Sequence, residues 1–154
     1  WDYRRWNAAL IMGGSKGAYD PLSEYPSRDD EVRFITDFDK PILGTCLGSQ
    51  LIAHSLGGRV YRDEDRKECG FYPASLAANA DRGMFRGFNG IFPVFHWHGD
   101  SFEIPDGAVP LVYSQYDPPE VQAFACEGRV GVLFHMEMTQ EMIADLLKID
   151  KGWF

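Results

Sequence analysis

Short apolar runs alternate with apolar residues at helical spacing along the chain. Residues 8–12, Ala8-Ala9-Leu10-Ile11-Met12, form an apolar run that leads straight into Gly13-Gly14, the pattern of a short buried strand ending in a loop. Residues 28–39 place Val32, Ile35 and Phe38 at three-residue spacing among acidic positions, which predicts an amphipathic helix. Residues 41–45 read as a strand and residues 47–53 as a helix, with Gly57-Gly58 supplying the left-handed position that ends it. Residues 59–61 and 111–114 are further short strands, and the prolines of Asp117-Pro118-Pro119-Glu120 mark a turn. Strands over 121–125 and 131–134 are joined by the turn-like Glu127-Gly128-Arg129. Thr139 has the character of an N-cap for a last helix, whose Met142, Ile143, Leu146 and Leu147 form one apolar stripe expected to join the core. Strands and helices taken in this order predict an α/β fold.

Composition supports one ordinary domain, since 154 residues with 45% hydrophobic content can enclose a single core. Fifteen basic against 23 acidic residues leave a net charge of −8, which argues against a nucleic-acid surface or an anionic membrane as partner. The three cysteines, Cys46, Cys69 and Cys126, are an odd and widely spaced set. That pattern is no disulfide framework and fits a reducing cytoplasm.

Cys46 stands between the predicted strand and helix with Gly44 and Gly48 on either side. A sharp strand-to-helix turn with small flanking residues displays a nucleophile and lets a substrate carbonyl approach, as in the G-x-S-x-G elbows of serine hydrolases. The helix start, with its unpaired N–H groups and positive dipole end, predicts a lowered thiol pKa. A second half-site follows the strand over 131–134, where His135-Met136-Glu137 places a carboxylate two residues beyond an imidazole. Where a strand ends, the chain can bend so that Glu137 holds His135, and an imidazole so oriented can activate a thiol that meets it in space.

These residues carry a family resemblance. Gly44-Thr45-Cys46-Leu47-Gly48-Ser49-Gln50 resembles the G-x-C-x-G-x-Q elbow of class I, triad-type glutamine amidotransferases, and Phe134-His135-Met136-Glu137 resembles their F-H-P-E motif. The Gly13-Gly14 loop is similar to the G-G-P loop that shapes the family's oxyanion hole. His98-Gly99-Asp100 through Gly107 resembles the H-G-D…P-x-G segment of the subfamily related to the amidotransferase part of GMP synthase, and residues 67–73 are similar to its E-x-G-W-x-P strand. The blocks keep the family's order over almost the whole chain.

The resemblance implies a flavodoxin-like three-layer α/β sandwich with a mainly parallel central sheet. It implies Cys46 as nucleophile, His135 as general base and acid, and Glu137 as the group that orients the imidazole. Leu47 and the Gly13-Gly14 loop would form the oxyanion hole, and Gln50, His98 and Asp100 would line the glutamine pocket. The implied reaction is hydrolysis of the glutamine side-chain amide through a thioester, with ammonia passed to a synthetase subunit or domain and no metal or organic cofactor. Met136 stands where the family has proline, which leaves the link from His135 to Glu137 less restrained. Ser15 and Lys16 replace the proline and its neighbour after the two glycines. Relatives also carry a strand and helix ahead of the glycine loop, so a single amidotransferase domain over 1–154, incomplete at its N-terminus, is expected.

His96-Trp97-His98 puts two imidazoles on one strand face, but a zinc site needs three or four ligands and no C-x-x-C or H-x-x-x-H accompanies them. No metal is therefore expected. Other readings of the chain are a hydrolase of a different γ-glutamyl compound, a catalytically degenerate binding or regulatory subunit, and a cysteine peptidase-like protein. Gln50 and the His135-x-Glu137 order speak against the last.

Overall fold

The computed structural model describes residues 3–63, 65–78, 80 and 83–150. The elements run β1 (Ala9–Ile11), α1 (Arg28–Asp37), β2 (Ile42–Thr45), α2 (Leu47–Ser55), β3 (Val60–Arg62), β4 (Glu68–Leu76), β5 (Ile91–His98), β6 (Asp100–Phe102), β7 (Val109–Ser114), β8 (Val121–Cys126), β9 (Arg129–Val132) and α3 (Gln140–Ile149). Seven strands form one sheet in the order β1-β2-β9-β8-β7-β4-β5, and β3 pairs with β6 in a separate ribbon.

The α/β class expected from the sequence is what the chain adopts. The sheet, however, is mixed rather than mainly parallel. Parallel pairing is confined to β1-β2 and β2-β9, whereas β9-β8, β8-β7, β7-β4 and β4-β5 are antiparallel. Turn chemistry explains part of this. Glu127 and Gly128 both take positive φ, 48° and 77°, and so connect β8 to β9 as a tight hairpin that only antiparallel strands accept.

Alternation along the strands sends residues to two apolar clusters, one on each face of the sheet. Phe124 and Leu133 join Ile35, Phe38, Leu51, Ile52 and Phe102 on the side of α1 and α2. Ala123, Val132 and Phe134 join Phe85, Phe92, Val94, Leu111 and Val112 on the other. The helix α1 forms over the predicted span, with acidic Asp29, Asp30 and Glu31 in its first turn, where the dipole favours negative charge.

Gly57, at φ 88°, follows the C-cap Leu56 of α2 and occupies the left-handed position read from the sequence. Thr139 caps α3 as expected, accepting from the Met142 N–H at 3.2 Å. The stripe on α3 is a correction: none of the helix's residues is buried, and Ile149 is 82% exposed. The helix is held at its end instead, where the Trp97 indole N–H donates to Asp150 at 3.2 Å. Two strands around the site, β5 and β6, carry Trp97 and Asp100; their full extent was not apparent from periodicity.

Candidate active site

The turn between β2 and α2 is built from backbone contacts. Cys46 takes φ 52° and ψ −113°, a conformation that L residues rarely adopt and that costs on the order of 1–3 kcal/mol. It is held there from both sides. Its N–H donates to the Val132 carbonyl at 2.9 Å, and its carbonyl accepts from the Ser49 hydroxyl at 2.6 Å and the Gln50 N–H at 3.2 Å. The flanking glycines are steric necessities. A Cβ on Gly44 would lie 2.4 Å from the Gly48 carbonyl oxygen, and one on Gly48 would lie 2.1 Å from the Ile11 carbonyl oxygen.

The same close packing brings the chemical groups together. A Cβ on Gly13 would stand 3.1 Å from His135 Cε1, 3.3 Å from Cys46 Cβ and 3.8 Å from Cys46 Sγ. The thiol and the imidazole therefore both border Gly13, and a side chain there would press on each. Gly14 abuts the Leu47 side chain, where a Cβ would meet Cδ2 at 3.0 Å.

His135 is fixed from behind and below. Its backbone N–H donates to the Phe95 carbonyl at 2.8 Å, and its Nδ1 lies 2.7 Å from Glu137 Oε1. With a carboxylate at that distance Nδ1 carries a proton, which leaves Nε2 as the basic nitrogen. The hydrogen bond forms although Met136 occupies the intervening position and is itself half-exposed.

Electrostatics correct one expectation. The Cys46 thiol is buried, and burial pushes its pKa up to about 12, with the Asp100 and Glu137 carboxylates adding to the rise. The Leu47 N–H pulls in the opposite direction, as the helix-start argument anticipates, but desolvation outweighs it. Burial thus favours the neutral thiol over the thiolate in the free protein. Alkylation of Cys46 by iodoacetamide is expected to be slow at pH 7 and to climb about tenfold per pH unit toward pH 11, because raising the pH increases the thiolate fraction below a pKa of about 12. Mass spectrometry of the Cys46 peptide would report this, and a rate already level below pH 8 would contradict it.

Gln50, one turn beyond Cys46 on α2, is buried, and its Oε1 has no hydrogen-bond partner among the described residues. Asp100 accepts from the Tyr19 hydroxyl at 2.8 Å, tying the segment after the glycine loop to β6. His98 faces elsewhere. Its Nε2 lies 3.1 Å from Glu68 and 2.7 Å from His96, and its Nδ1 lies 3.1 Å from the Asp100 carbonyl. It braces the Asp100 backbone rather than facing the Cys46 thiol.

Three participants escaped the sequence reading. Tyr19 clamps the loop, the Trp97 carbonyl lies 3.9 Å from Cys46 Sγ, and Glu68 joins the two histidines. Each lay inside a stretch the sequence marked, Tyr19 just after the Gly13-Gly14 loop, Trp97 between His96 and His98, and Glu68 at the start of the E-x-G segment, but none was singled out for these contacts. Beside His135 an apolar recess of about 270 Å³ is lined by Phe71, Phe88, Phe95, Phe134 and Met136 among others.

Known proteins similar to this chain fall in one family. The sequence model described as glutamine amidotransferase class-I matches residues 7–147. A glutamine-hydrolysing GMP synthase of Thermomicrobium roseum is 32% identical over 140 residues, covering 90% of this chain and 24% of that protein. A glutamine amidotransferase-like protein of Salmonella typhimurium, YfeJ, is 33% identical over 145 residues, covering 90% of this chain and 60% of its own length. The crystal structure of a glutamine amidotransferase from Thermotoga maritima superposes with a TM-score of 0.87 at 32% identity, covering 97% of this chain and 64% of that one. The chain thus spans about a quarter of that GMP synthase and about three fifths of the shorter relatives. On the family match over 7–147, this chain belongs to the class-I glutamine amidotransferases.

Proposed function

We propose that the chain is a single amidotransferase domain that hydrolyses the side-chain amide of glutamine and releases ammonia to a synthetase partner in the cytoplasm. The observation that carries this reading is the convergence of the Cys46 sulfur and the His135 ring beside Gly13, where a Cβ would lie 3.8 Å from Sγ and 3.1 Å from Cε1, with Glu137 holding the imidazole at 2.7 Å. A carboxamide carbon that reaches this sulfur meets a nucleophile and a proton carrier at once.

In this reading His135 Nε2 takes the thiol proton as Cys46 Sγ attacks the carboxamide carbon. The oxyanion is met by the Leu47 N–H and by an N–H of the Gly13-Gly14 loop. His135 returns the proton to the departing nitrogen, so ammonia leaves and a γ-glutamyl thioester remains. Water then attacks the thioester, His135 accepts its proton and passes it to the departing sulfur, and glutamate leaves with the thiol restored. Glu137 keeps the imidazole in the tautomer that every step requires. Gln50 and Asp100 hold the amino-acid end of the substrate. A neutral resting thiol suits this sequence, because nucleophile and base are then activated together only when substrate is present.

The apolar recess beside His135 favours a second reading, in which the leaving group is an apolar amine and the substrate another γ-glutamyl amide. Both readings share one test. Full-length protein is incubated with glutamine or γ-glutamyl anilide in the presence of hydroxylamine, which intercepts the thioester as γ-glutamyl hydroxamate. Hydroxamate from glutamine is the expected result, a kcat/KM favouring the anilide supports the second reading, and hydroxamate from neither refutes both.

A further inference from the structure

Glu68, His96 and His98 converge in the interior, away from the Cys46 sulfur. Antiparallel pairing sets Glu68 of β4 directly across from His98 of β5, and His96 shares that face two residues away. Glu68 Oε2 is 3.3 Å from His96 Nδ1 and 3.1 Å from His98 Nε2, and the two nitrogens are 2.7 Å apart. All three side chains are buried.

The remaining polar atoms of the cluster are engaged by groups that fix their orientation. Tyr116 donates its hydroxyl proton to Glu68 Oε1 at 2.5 Å, and the Asp100 carbonyl lies 3.1 Å from His98 Nδ1. A carbonyl only accepts, so His98 Nδ1 carries the proton, and a neutral ring then presents a bare lone pair at Nε2. That lone pair, the Oε2 carboxylate oxygen and His96 Nδ1 all face one another. Two acceptors thus share whatever lies between them and His96 Nδ1, either the single proton of a neutral His96 or a cation that all three groups ligate.

We propose that Glu68 Oε2, His96 Nδ1 and His98 Nε2 form a binding site for one divalent transition-metal ion of the zinc type. Ligands about 2.0–2.1 Å from zinc in a tetrahedron lie roughly 3.3–3.4 Å from each other. The two distances to Glu68 already fall close to this, and the nitrogens, 2.7 Å apart, need to part by roughly 0.6–0.7 Å. Two imidazoles and one carboxylate are a donor set that suits zinc and its neighbours and suits calcium or magnesium poorly. A carbonyl behind one histidine and a hydroxyl on the distal carboxylate oxygen are the outer contacts that orient metal ligands. The ion would rivet β4 to the end of β5, where the Trp97 carbonyl touches Cys46 Sγ, and its role is positioning rather than catalysis.

Chelator-stripped full-length protein titrated with Co²⁺ by visible absorption, and with Zn²⁺ by calorimetry, tests the site. One equivalent per chain is expected for the wild type and equally for Cys46→Ala, with a tetrahedral cobalt spectrum lacking thiolate charge transfer. His96→Gln and Glu68→Gln are expected to lose stoichiometric uptake, and Tyr116→Phe to weaken it about 10- to 100-fold. Absence of stoichiometric uptake by the wild type overturns the proposal whatever the variants do. Uptake that survives both glutamine replacements, or a thiolate band, overturns it equally. Neither readout depends on glutamine hydrolysis, so the site and the proposed activity can fail separately.

Discussion

Alanine at position 46 is expected to bring glutamate release from glutamine down to background while the protein remains folded. Without the sulfur no thioester forms, and His135 and the N–H groups around it are left with only water to activate. Removing the nucleophile of a comparable triad costs roughly 10⁶ in kcat, and removing its orienting carboxylate roughly 10⁴. Glu137→Gln should accordingly keep measurable turnover where Cys46→Ala keeps none. The backbone adds a control on the same position. Alanine inherits the strained φ of 52°, whereas glycine does not, so Cys46→Gly should be equally inactive yet more stable than Cys46→Ala by about 1 kcal/mol. Steady-state glutamate release and thermal melts on the three variants check both statements. Wild-type rates in Cys46→Ala would remove Cys46 from the chemistry.

The largest structural effect is expected from a single methyl group on Gly48. Its Cβ would stand 2.1 Å from the Ile11 carbonyl oxygen and 2.8 Å from that carbonyl's carbon, both backbone atoms that no rotamer change can move. Helix α2 must then lift from β1, and the elbow at the helix start must move with it. Overpacking ordinarily costs about 1–3 kcal/mol, and a clash with backbone belongs at or beyond the upper end. About 3 kcal/mol corresponds to a fall in Tm of roughly 6–12 °C for a chain of this size. Gly57→Ala provides the contrast, since a Cβ there meets nothing within 4 Å and the penalty is confined to its positive φ. A Gly48→Ala protein melting within a degree or two of the wild type would mean that the close approach of α2 to β1 is not as drawn.

Particular residues show what the sequence could and could not disclose. The elbow was legible because its requirements are local: a strand, a helix and glycines two positions either side of Cys46. The pairing of His135 with Glu137 was likewise written within three residues. Glu68 was not, because it reaches His96 and His98 through cross-strand register, with nearly thirty residues between them. The direction of β7 and β8 was hidden for a similar reason, since apolar alternation marks a strand without saying which way its neighbour runs. On α3 periodicity identified an apolar stripe correctly, but an apolar stripe does not reveal what covers it. The thiol shows the reverse case, where a sound local argument from the helix start was outweighed by burial that only the assembled site supplies.

The burial of Cys46 bears on how readily its sulfur is oxidised. Peroxide attacks thiolate far faster than thiol, and each step from sulfenic to sulfinic acid retires a nucleophile that the protein cannot replace. Placing the sulfur between Gly13 and the Trp97 carbonyl therefore opposes oxidation twice, since burial favours the protonated thiol and also limits the approach of peroxide.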